Sequence, residues 1–325
     1  MYLGIDVGSV STNIVLLDEK GVVQAEEYLR THGQPIEAIQ QGLKMVGKQW
    51  EGFKIRGVGT TGSARYLAGV IVGADVVKNE ITAHAVAALQ EVPGVRTVLE
   101  IGGQDSKIII LRNGIAVDFA MNTVCAAGTG SFLDQQANRL RIPIEEFGDL
   151  ALNAKAAVRI AGRCTVFAES DMIHKQQMGY TREDIIAGLC EAMVRNYLNN
   201  LGKGKEIIPP ISFQGGVAAN KGIRAAFEKE LGHNITIPEH YYVMGAVGCA
   251  LLAKEFMEMS PQETRFKGFE LSEWSFKTTG FECNGCSNCC EIVEIREEGD
   301  LIARWGDRCG KWQVSEKAKV AESIK

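Results

Sequence analysis

Residues 2–17 read YLGIDVGSVSTNIVLL, and residues 97–112 read TVLEIGGQDSKIIILR. In each stretch an apolar strand runs into a glycine turn that carries an aspartate, and a second apolar strand follows. Lys20-Gly21 and Asn113-Gly114 then turn the chain into a third strand. Because the same order of strands and turns recurs from residue 97 onward, the sequence predicts an internally duplicated α/β fold.

Helical spacing of apolar residues follows each of these units, as expected for alternating strands and helices. The segments predicted as helices are 35–49, 83–90, 220–230 and 246–257, and further strands are predicted at 55–60 and 211–214. After residue 259 the aliphatic pattern ends and cysteines become frequent. We therefore predict a first lobe over 1–95, a second lobe over 96–259 and a cysteine-rich tail over 260–325.

The composition is that of an ordinary globular protein, with 325 residues, 46% hydrophobic and 23% charged residues and a formal net charge of −5. This charge gives no reason to expect nucleic acid or an anionic membrane as a partner. The chain opens on a strand rather than a basic leader, and no apolar stretch approaches the ~18–20 residues of a membrane span. We expect a cytoplasmic protein.

The glycine turns are suited to binding phosphate. Without a Cβ, backbone N–H groups can approach an anion closely, and successive N–H groups in a tight turn form an anion site. The groups offered by the first turn belong to Asp6, Gly8, Ser9, Ser11 and Thr12. The second turn is Gly102-Gly103-Gln104-Asp105, and the third, before a helix, is Gly215-Gly216-Val217. Neither a Walker GxxxxGK[ST] loop nor a Rossmann GxGxxG pattern is present, which excludes two common nucleotide-binding folds.

Three more motifs narrow the class of protein: MNTVCAAGTG at 121–130, GRCTVFAES at 162–170 and GGVAAN at 215–220. The two acidic glycine turns resemble the phosphate motifs of the sugar-kinase, heat-shock-chaperone and actin superfamily. Together with the three motifs, they resemble the activator ATPases of 2-hydroxyacyl-CoA dehydratases and the ATPase subunits of benzoyl-CoA reductases. The resemblance covers about residues 1–255.

The resemblance implies two ribonuclease-H-like, actin-like ATPase lobes with ATP in the cleft between them. It further implies that Asp6 and Asp105 hold Mg²⁺ and that Gln104 lies near the γ-phosphate, where it positions water or senses the phosphate. Gln104 as a simple cap of the turn is the alternative. The resemblance adds Gly128, Thr129 and Asn220 to the nucleotide contacts.

The resemblance also implies a homodimer that holds one [4Fe–4S] cluster at its twofold axis, bound by Cys125 and Cys164 of each chain. Two cysteines per chain leave two of four iron positions unfilled, and a second chain supplies the rest. Each cysteine begins a predicted helix, whose N–H groups suit an anionic cluster. Cys190 and Cys249 are interpreted as packed core residues.

On this basis ATP hydrolysis drives one electron from the cluster to a partner enzyme. The implied partner is a CoA-thioester dehydratase or a related low-potential iron–sulfur reductase, and the donor is a protein such as ferredoxin or flavodoxin. Two residues depart from the family pattern. Glu100 stands where an aspartate is usual, and Met244 where an asparagine often precedes the final Gly-Ala.

The tail has its own cysteine pattern, formed by Cys283, Cys286, Cys289, Cys290 and Cys309. A CxxC spacing with a distant further cysteine suits either tetrahedral zinc or an iron–sulfur cluster. The sequence therefore predicts a second metal site and leaves its metal open. Such a short segment has little core of its own, so it needs this metal or a surface to dock on.

Two other functions remain open at this point. A small-molecule kinase of the same superfamily needs a catalytic carboxylate and a substrate insertion, and no separate insertion is evident in the sequence. A regulatory ATPase without redox chemistry would use its cysteines for structural metal. The colour of protein purified without oxygen separates these two from the redox reading.

Overall fold

The computed structural model describes residues 1–50, 52–122, 125–161, 164–297 and 299–312. The first lobe consists of β1 Tyr2–Val7, β2 Ser11–Leu17, β3 Val23–Arg30, α1 Pro35–Gln49, β4 Gly57–Thr61, α2 Arg65–Val72, β5 Val76–Val77 and α3 Glu80–Glu91. Its strands form one sheet in the order β3-β2-β1-β4-β5. The first three strands are antiparallel neighbours, whereas β4 and β5 join in parallel.

The second lobe repeats this topology. Its elements are β6 Thr97–Ile101, β7 Ser106–Arg112, β8 Ile115–Asn122, α4 Gly130–Leu140, α5 Ile144–Leu152, α6 Thr165–Gln177, α7 Arg182–Tyr197, β9 Ile211–Gln214, α8 Lys221–Leu231, β10 Ile235–Thr236 and α9 Met244–Met259. Its sheet order, β10-β9-β6-β7-β8, matches the first sheet strand for strand, with β9 and β10 parallel. The predicted α/β duplication is confirmed.

Helices α3 and α9 lie between the two sheets. One apolar cluster contains residues of both helices together with residues of β2, β6 and β7. Helix α9 rests directly on the first sheet, because a Cβ on Gly4 or Gly59 would overlap the backbone carbonyls of Ala246 and Cys249. The predicted division at residues 95 and 259 stays a prediction, and this packing qualifies it, since α9 follows the second lobe in sequence but contacts the first sheet.

The tail docks on the first lobe, as its small size required. It contains a 3₁₀ turn, Phe269–Glu273, and a sheet of β11 Phe276–Glu282, β12 Glu291–Glu297 and β13 Asp300–Trp305. Leu271 and Ile295 are fully buried in the same apolar cluster as residues of α1 and β1. Gln40 of α1 donates to the carbonyls of Leu271 and Trp274, at 3.1 and 2.7 Å.

None of the helices in the described part of the chain combines the length and the apolar character that a membrane span requires.

Candidate functional site

A cleft of about 430 Å³ opens between the lobes, within the size range of small-molecule sites. Residues from both lobes line it. The predicted site residues among them are Asp6, Gly8, Ser9, Ser11, Gly102, Gly103, Gln104, Asp105, Gly215, Gly216, Val217 and Asn220. The fold therefore brings all three glycine turns to one cavity, although they lie far apart in the chain.

The two acidic turns meet face to face. The N–H of Gly8 donates to the Ser11 carbonyl at 2.9 Å, and the N–H of Gly102 donates to the Asp105 carbonyl at 3.0 Å. Val10 lies against Gly103 so closely that a Cβ there would come within 2.7 Å of the Val10 Cβ. A side chain at residue 103 would push the two turns apart, so glycine is required for their contact.

The third turn packs behind the second. Gly215 has a left-handed φ of +87°, which favours glycine, and a Cβ there would come 2.7 Å from Glu100 Oε1. Its N–H donates to the Tyr241 carbonyl at 2.7 Å. Asn220 caps α8 by accepting from the N–H of Ile223 at 3.0 Å. The loop between β9 and α8 is thereby held at the cleft.

Lys107 is the main site residue that the sequence reasoning missed. Its ammonium lies 3.0 Å from Glu100 Oε2 and 2.9 Å from Asp105 Oδ1, and its side chain is only 4% exposed. Buried lysine side chains are rare unless they are paired. A lysine that interrupts the apolar strand β7 was the available signal, since such a residue needs a carboxylate partner.

Burial and the neighbouring charges shift the pKa values of Asp6, Glu100 and Lys107. Burial, together with the nearby Glu80 carboxylate, raises the pKa of Asp6 to about 7 against the opposing charge of Lys107. Burial also raises the pKa of Glu100 to about 7, although Lys107 beside it opposes the shift. Burial disfavours the charge of Lys107, but Glu100 and Asp105 outweigh that effect and hold its pKa above the ordinary value. The cleft floor thus concentrates carboxyl groups where a cation would stabilise their ionised forms.

Glu100, the departure from the family pattern, has a defined place. It is buried, pairs with Lys107, and its carboxylate lies next to Gly102 and Gly215. Met244, the other departure, is buried at the start of α9 and also lines the cleft. Beside it, a Cβ on Gly245 would overlap the Asp6 carboxylate, so glycine is required there.

The sequence reasoning also missed a neutral histidine and an aromatic wall. The Gln214 Nε2 amide donates to Nδ1 of buried His84 at 2.8 Å, and burial lowers the pKa of His84 to about 3. Tyr28 and Tyr242 line the cleft with ring centroids 6.2 Å apart, and Tyr241 stands 5.1 Å from Tyr242. Such rings offer an apolar surface for a base.

Three predicted contacts lie outside the cleft lining. Thr12 is buried, and its hydroxyl lies 3.0 Å from the Thr31 hydroxyl. Thr129 is buried as well and donates to the Ala126 carbonyl at 2.7 Å, which closes the short 3₁₀ turn Ala126–Gly128. Gly128 belongs to that turn. The structure therefore places these residues behind the site rather than in it.

Cys125 and Cys164 each stand at the N-terminal cap of a helical segment, as predicted. Cys125 precedes the 3₁₀ turn that leads into α4, and Cys164 precedes α6. Both are partly exposed. The Asn122 side chain clamps Cys125, since its Oδ1 accepts from the Cys125 N–H at 2.9 Å and its Nδ2 donates to the Cys125 carbonyl at 2.8 Å. The neighbouring motif residues 123–124 and 162–163 lie outside the described residues.

The segment that carries Cys125 is tied to the second phosphate turn. The N–H groups of Gly130 and Ser131 donate to the carbonyls of Gly102 and Gly103, both at 2.9 Å. The Ser131 hydroxyl donates to the Gly103 carbonyl as well, at 2.6 Å. These hydrogen bonds hold the second phosphate turn against the first turn of α4.

The remaining cysteines fall into two groups. Cys190 and Cys249 are fully buried, as the core interpretation predicted. In the tail, Cys283 is buried, Cys290 is partly exposed, and Cys286, Cys289 and Cys309 are exposed. Among the residues that the structure describes, no three His, Cys, Asp or Glu side chains already surround a metal-sized point.

The chain is similar to known proteins over most of its length. The model of the BadF/BadG/BcrA/BcrD ATPase family matches residues 3–253. The chain is 35% identical to the (R)-2-hydroxyglutaryl-CoA dehydratase activating ATPase of Acidaminococcus fermentans, over 77% of this chain and 96% of that protein. It is 35% identical to the activator of lactoyl-CoA dehydratase of Anaerotignum propionicum, over 78% of this chain and 98% of that protein.

The chain is also similar to solved structures of dehydratase activators. The activator of the 2-hydroxyisocaproyl-CoA dehydratase from Clostridium difficile with bound ADPNP superimposes with a TM-score of 0.72 at 32% identity. The match covers 80% of this chain and 97% of that one. This likeness confirms the predicted actin-like ATPase fold.

Proposed function

Since this chain belongs to the BadF/BadG/BcrA/BcrD ATPase family, we propose that it hydrolyses ATP to drive single electrons into a partner iron–sulfur enzyme. The partner is a 2-hydroxyacyl-CoA dehydratase or a related low-potential reductase. Relatives named as activators of such dehydratases support the choice. A cytoplasmic ferredoxin or flavodoxin is the proposed source of the electrons.

The cleft residues have different proposed roles in the binding and hydrolysis of ATP. The N–H groups of the first two glycine turns hold the phosphates from opposite sides, and the tyrosines beside the third turn face the base. Asp6 and Asp105 would hold Mg²⁺, which would neutralise charge on the phosphates, and Gln104 would orient the attacking water. Lys107 compensates the charge of Asp105 and Glu100 until the metal and the nucleotide arrive.

Cys125 and Cys164 fit the ligation of an iron–sulfur cluster. Both are partly exposed at helical N-termini, where N–H groups and the helix dipole favour an anionic cluster. In the described part of the chain neither side chain accepts a capping hydrogen bond from its own helix. A [4Fe–4S] cluster held by these thiolates supplies a one-electron store.

The surface beside Cys164 supports a homodimer around this site. Val166 and Phe167, in the first turn of α6, are 65% and 67% exposed. Large apolar side chains in such a position are expected to be covered by a partner. A second copy of the chain would cover them and bring the third and fourth cysteine ligands.

One observation carries the proposed coupling: the hydrogen bonds that join Gly102 and Gly103 to the first turn of α4. A shift of the second phosphate turn during hydrolysis moves α4 and therefore Cys125. The Arg139–Glu169 ion pair, at 2.7 Å, links α4 to α6 and so to Cys164. The proposal is that closure of the cleft repositions both cysteines and thereby lowers the potential at which the electron is held.

Replacing Ser131 by alanine tests this link. The substitution removes the hydroxyl bond to Gly103 and leaves the cleft lining unchanged. A hydrogen bond of this kind is worth about 1 kcal/mol, so we expect the electrons delivered per ATP to fall about fivefold. ATP turnover itself should stay within about twofold of wild type, because no phosphate contact is lost.

The matched control is Ser131→Thr, which keeps the hydroxyl and should retain the wild-type ratio. Both quantities are measured together, as phosphate released and partner reduced. An alanine variant with an unchanged ratio of electrons to ATP would remove the proposed route through α4.

A further inference from the structure

Two tail cysteines stand opposite each other. Strands β11 and β12 are antiparallel with Glu282 paired to Glu291, so the next pair is Cys283 and Cys290. The N–H of Cys283 donates to the Cys290 carbonyl at 2.8 Å, which confirms that the pairing continues. Directly opposed residues project from the same face of a sheet, with Cβ atoms about 5 Å apart. Both sulfur atoms therefore lie on one face, the face of Phe281 and buried Ile292.

The sulfur of Cys283 already accepts two hydrogen bonds. The N–H of Gly285 donates to it at 3.4 Å, which curls the segment Cys283–Cys286 around the sulfur. The indole N–H of Trp312 donates to the same atom at 3.1 Å. Donors directed at a sulfur stabilise the thiolate form, which is the form that binds metal.

The chain after β13 returns to this face. Trp305 at the end of β13 pairs with Val293, so the following residues lie at the same end of the sheet as the cysteine loop. The Trp312 ring stacks edge-on against Phe281 with centroids 5.1 Å apart. Cys309 lies in the segment between Trp305 and Trp312. The hydrogen bond from the Trp312 indole to the Cys283 sulfur holds the end of this segment at Cys283.

From this arrangement we propose that the tail holds a second, separate metal centre with thiolate ligands from Cys283, Cys286, Cys290 and Cys309. The side chains of Cys286 and Cys309 are exposed, and the Cys309 thiol donates to Asp307 Oδ2 at 3.6 Å. Metal binding at this face requires both side chains to turn inward. Cys289 is left out, because its left-handed φ of 43° marks it as the turn residue that leads the chain into Cys290. Four thiolates suit Zn²⁺ or an iron–sulfur cluster.

The centre is independent of the nucleotide cleft. It lies outside residues 3–253 that match the ATPase family. The tail sheet is attached to the first lobe through Leu271 and Ile295, whereas α4 and α6, which follow Cys125 and Cys164, belong to the second lobe. Its existence therefore does not require the proposed electron transfer.

The test uses the full-length chain carrying Cys164→Ser, so that metal at the proposed dimer site does not contribute. Zinc, iron and acid-labile sulfide are measured after purification without oxygen. We expect about one zinc ion, or iron together with sulfide, per chain. Adding Cys283→Ser or Cys309→Ser should remove this metal, whereas adding Cys289→Ser should leave it in place.

A second measurement does not depend on how the tail variants fold. Metal-stripped Cys164→Ser protein is titrated with Co²⁺, which should develop the visible absorption of tetrahedral cobalt–thiolate coordination, and Zn²⁺ should displace it. Zinc with no sulfide assigns a mononuclear centre, and iron with sulfide assigns a cluster. Metal-free protein without a cobalt spectrum, metal retained in Cys283→Ser, or a Cys283–Cys290 disulfide in fresh protein would overturn the proposal.

Discussion

Cys164→Ser should leave a folded dimer-forming chain that has lost its core iron and transfers no electrons. The substitution removes one ligand from each chain and hence two of the four at the proposed twofold site, and an alkoxide is a poor substitute for a thiolate at iron. Serine is a favourable residue at a helix N-cap, so α6 should be at least as stable as before. Iron, sulfide and visible absorbance are measured on protein purified without oxygen.

ATP affinity is the internal control for this variant, because Cys164 does not line the cleft. The measurement is made in a Cys283→Ser background as well, so that metal in the tail does not mask the loss. Cys125→Ser should behave in the same way. Either variant keeping about four irons per dimer and normal electron transfer would contradict the cluster assignment.

Asp105→Asn and Asp6→Asn should each reduce Mg²⁺-dependent ATP hydrolysis by about a hundredfold or more, since the metal contributes several kcal/mol to phosphoryl transfer. The amide keeps the size of the side chain but loses the charge that attracts the hydrated metal. Steady-state phosphate release over a range of Mg²⁺ concentrations measures the effect. Wild-type turnover in both variants would remove the site assignment.

Thermal unfolding of Asp6→Asn shows whether the fold is retained. Burial raises the pKa of Asp6 from 3.8 to about 7 in the folded chain. Ionisation of Asp6 is therefore harder in the folded state, and wild type loses stability as the pH rises from about 4 to about 7. Asparagine does not titrate, so the melting temperature of the variant relative to wild type should increase over this window and level off above it.

The glycine turns were predictable because their geometry is local. A turn that must expose its backbone N–H groups next to another turn requires glycine at positions such as Gly103 and Gly215. Their duplication along the chain then predicted matching sheets, and the sheet orders agree. Asp6, Gln104 and Asp105 line the cleft, since each lies near the carboxyl end of the first strand of a duplicated unit or just beyond it. Their roles toward Mg²⁺ and water stay a prediction.

Residues whose place depends on long-range packing were not predictable. Thr12 and Ser11 are neighbours in β2, so their side chains point to opposite faces of the sheet. Which face is buried depends on packing: β3 pairs with β2, and the chain after it brings Thr31 against Thr12. In the sequence, Lys107 is a single charged residue in an apolar strand. Its ion pairs with Glu100 and Asp105 form only when the chain folds. The position of α9 on β1 and β4 follows from contacts between segments far apart in sequence.

Which of the tail cysteines lie close together also depends on the fold. Its cysteine spacing was compatible with several sets of ligands, because spacing alone does not tell which sulfur atoms share a face. The register of β11 and β12 supplies that information, since it sets Cys283 opposite Cys290. The docking of Leu271 on the first lobe explains how so short a segment is stabilised.

We proposed that ATP hydrolysis drives electron transfer from this protein to an acceptor. Reduction of a low-potential viologen tests this most directly. Dithionite-reduced, desalted protein is mixed with the viologen, and viologen radical and released phosphate are recorded together. We expect viologen reduction with MgATP, in step with hydrolysis, and none with a non-hydrolysable analogue. Hydrolysis at the same rate without viologen reduction, or equal reduction without nucleotide, would contradict it.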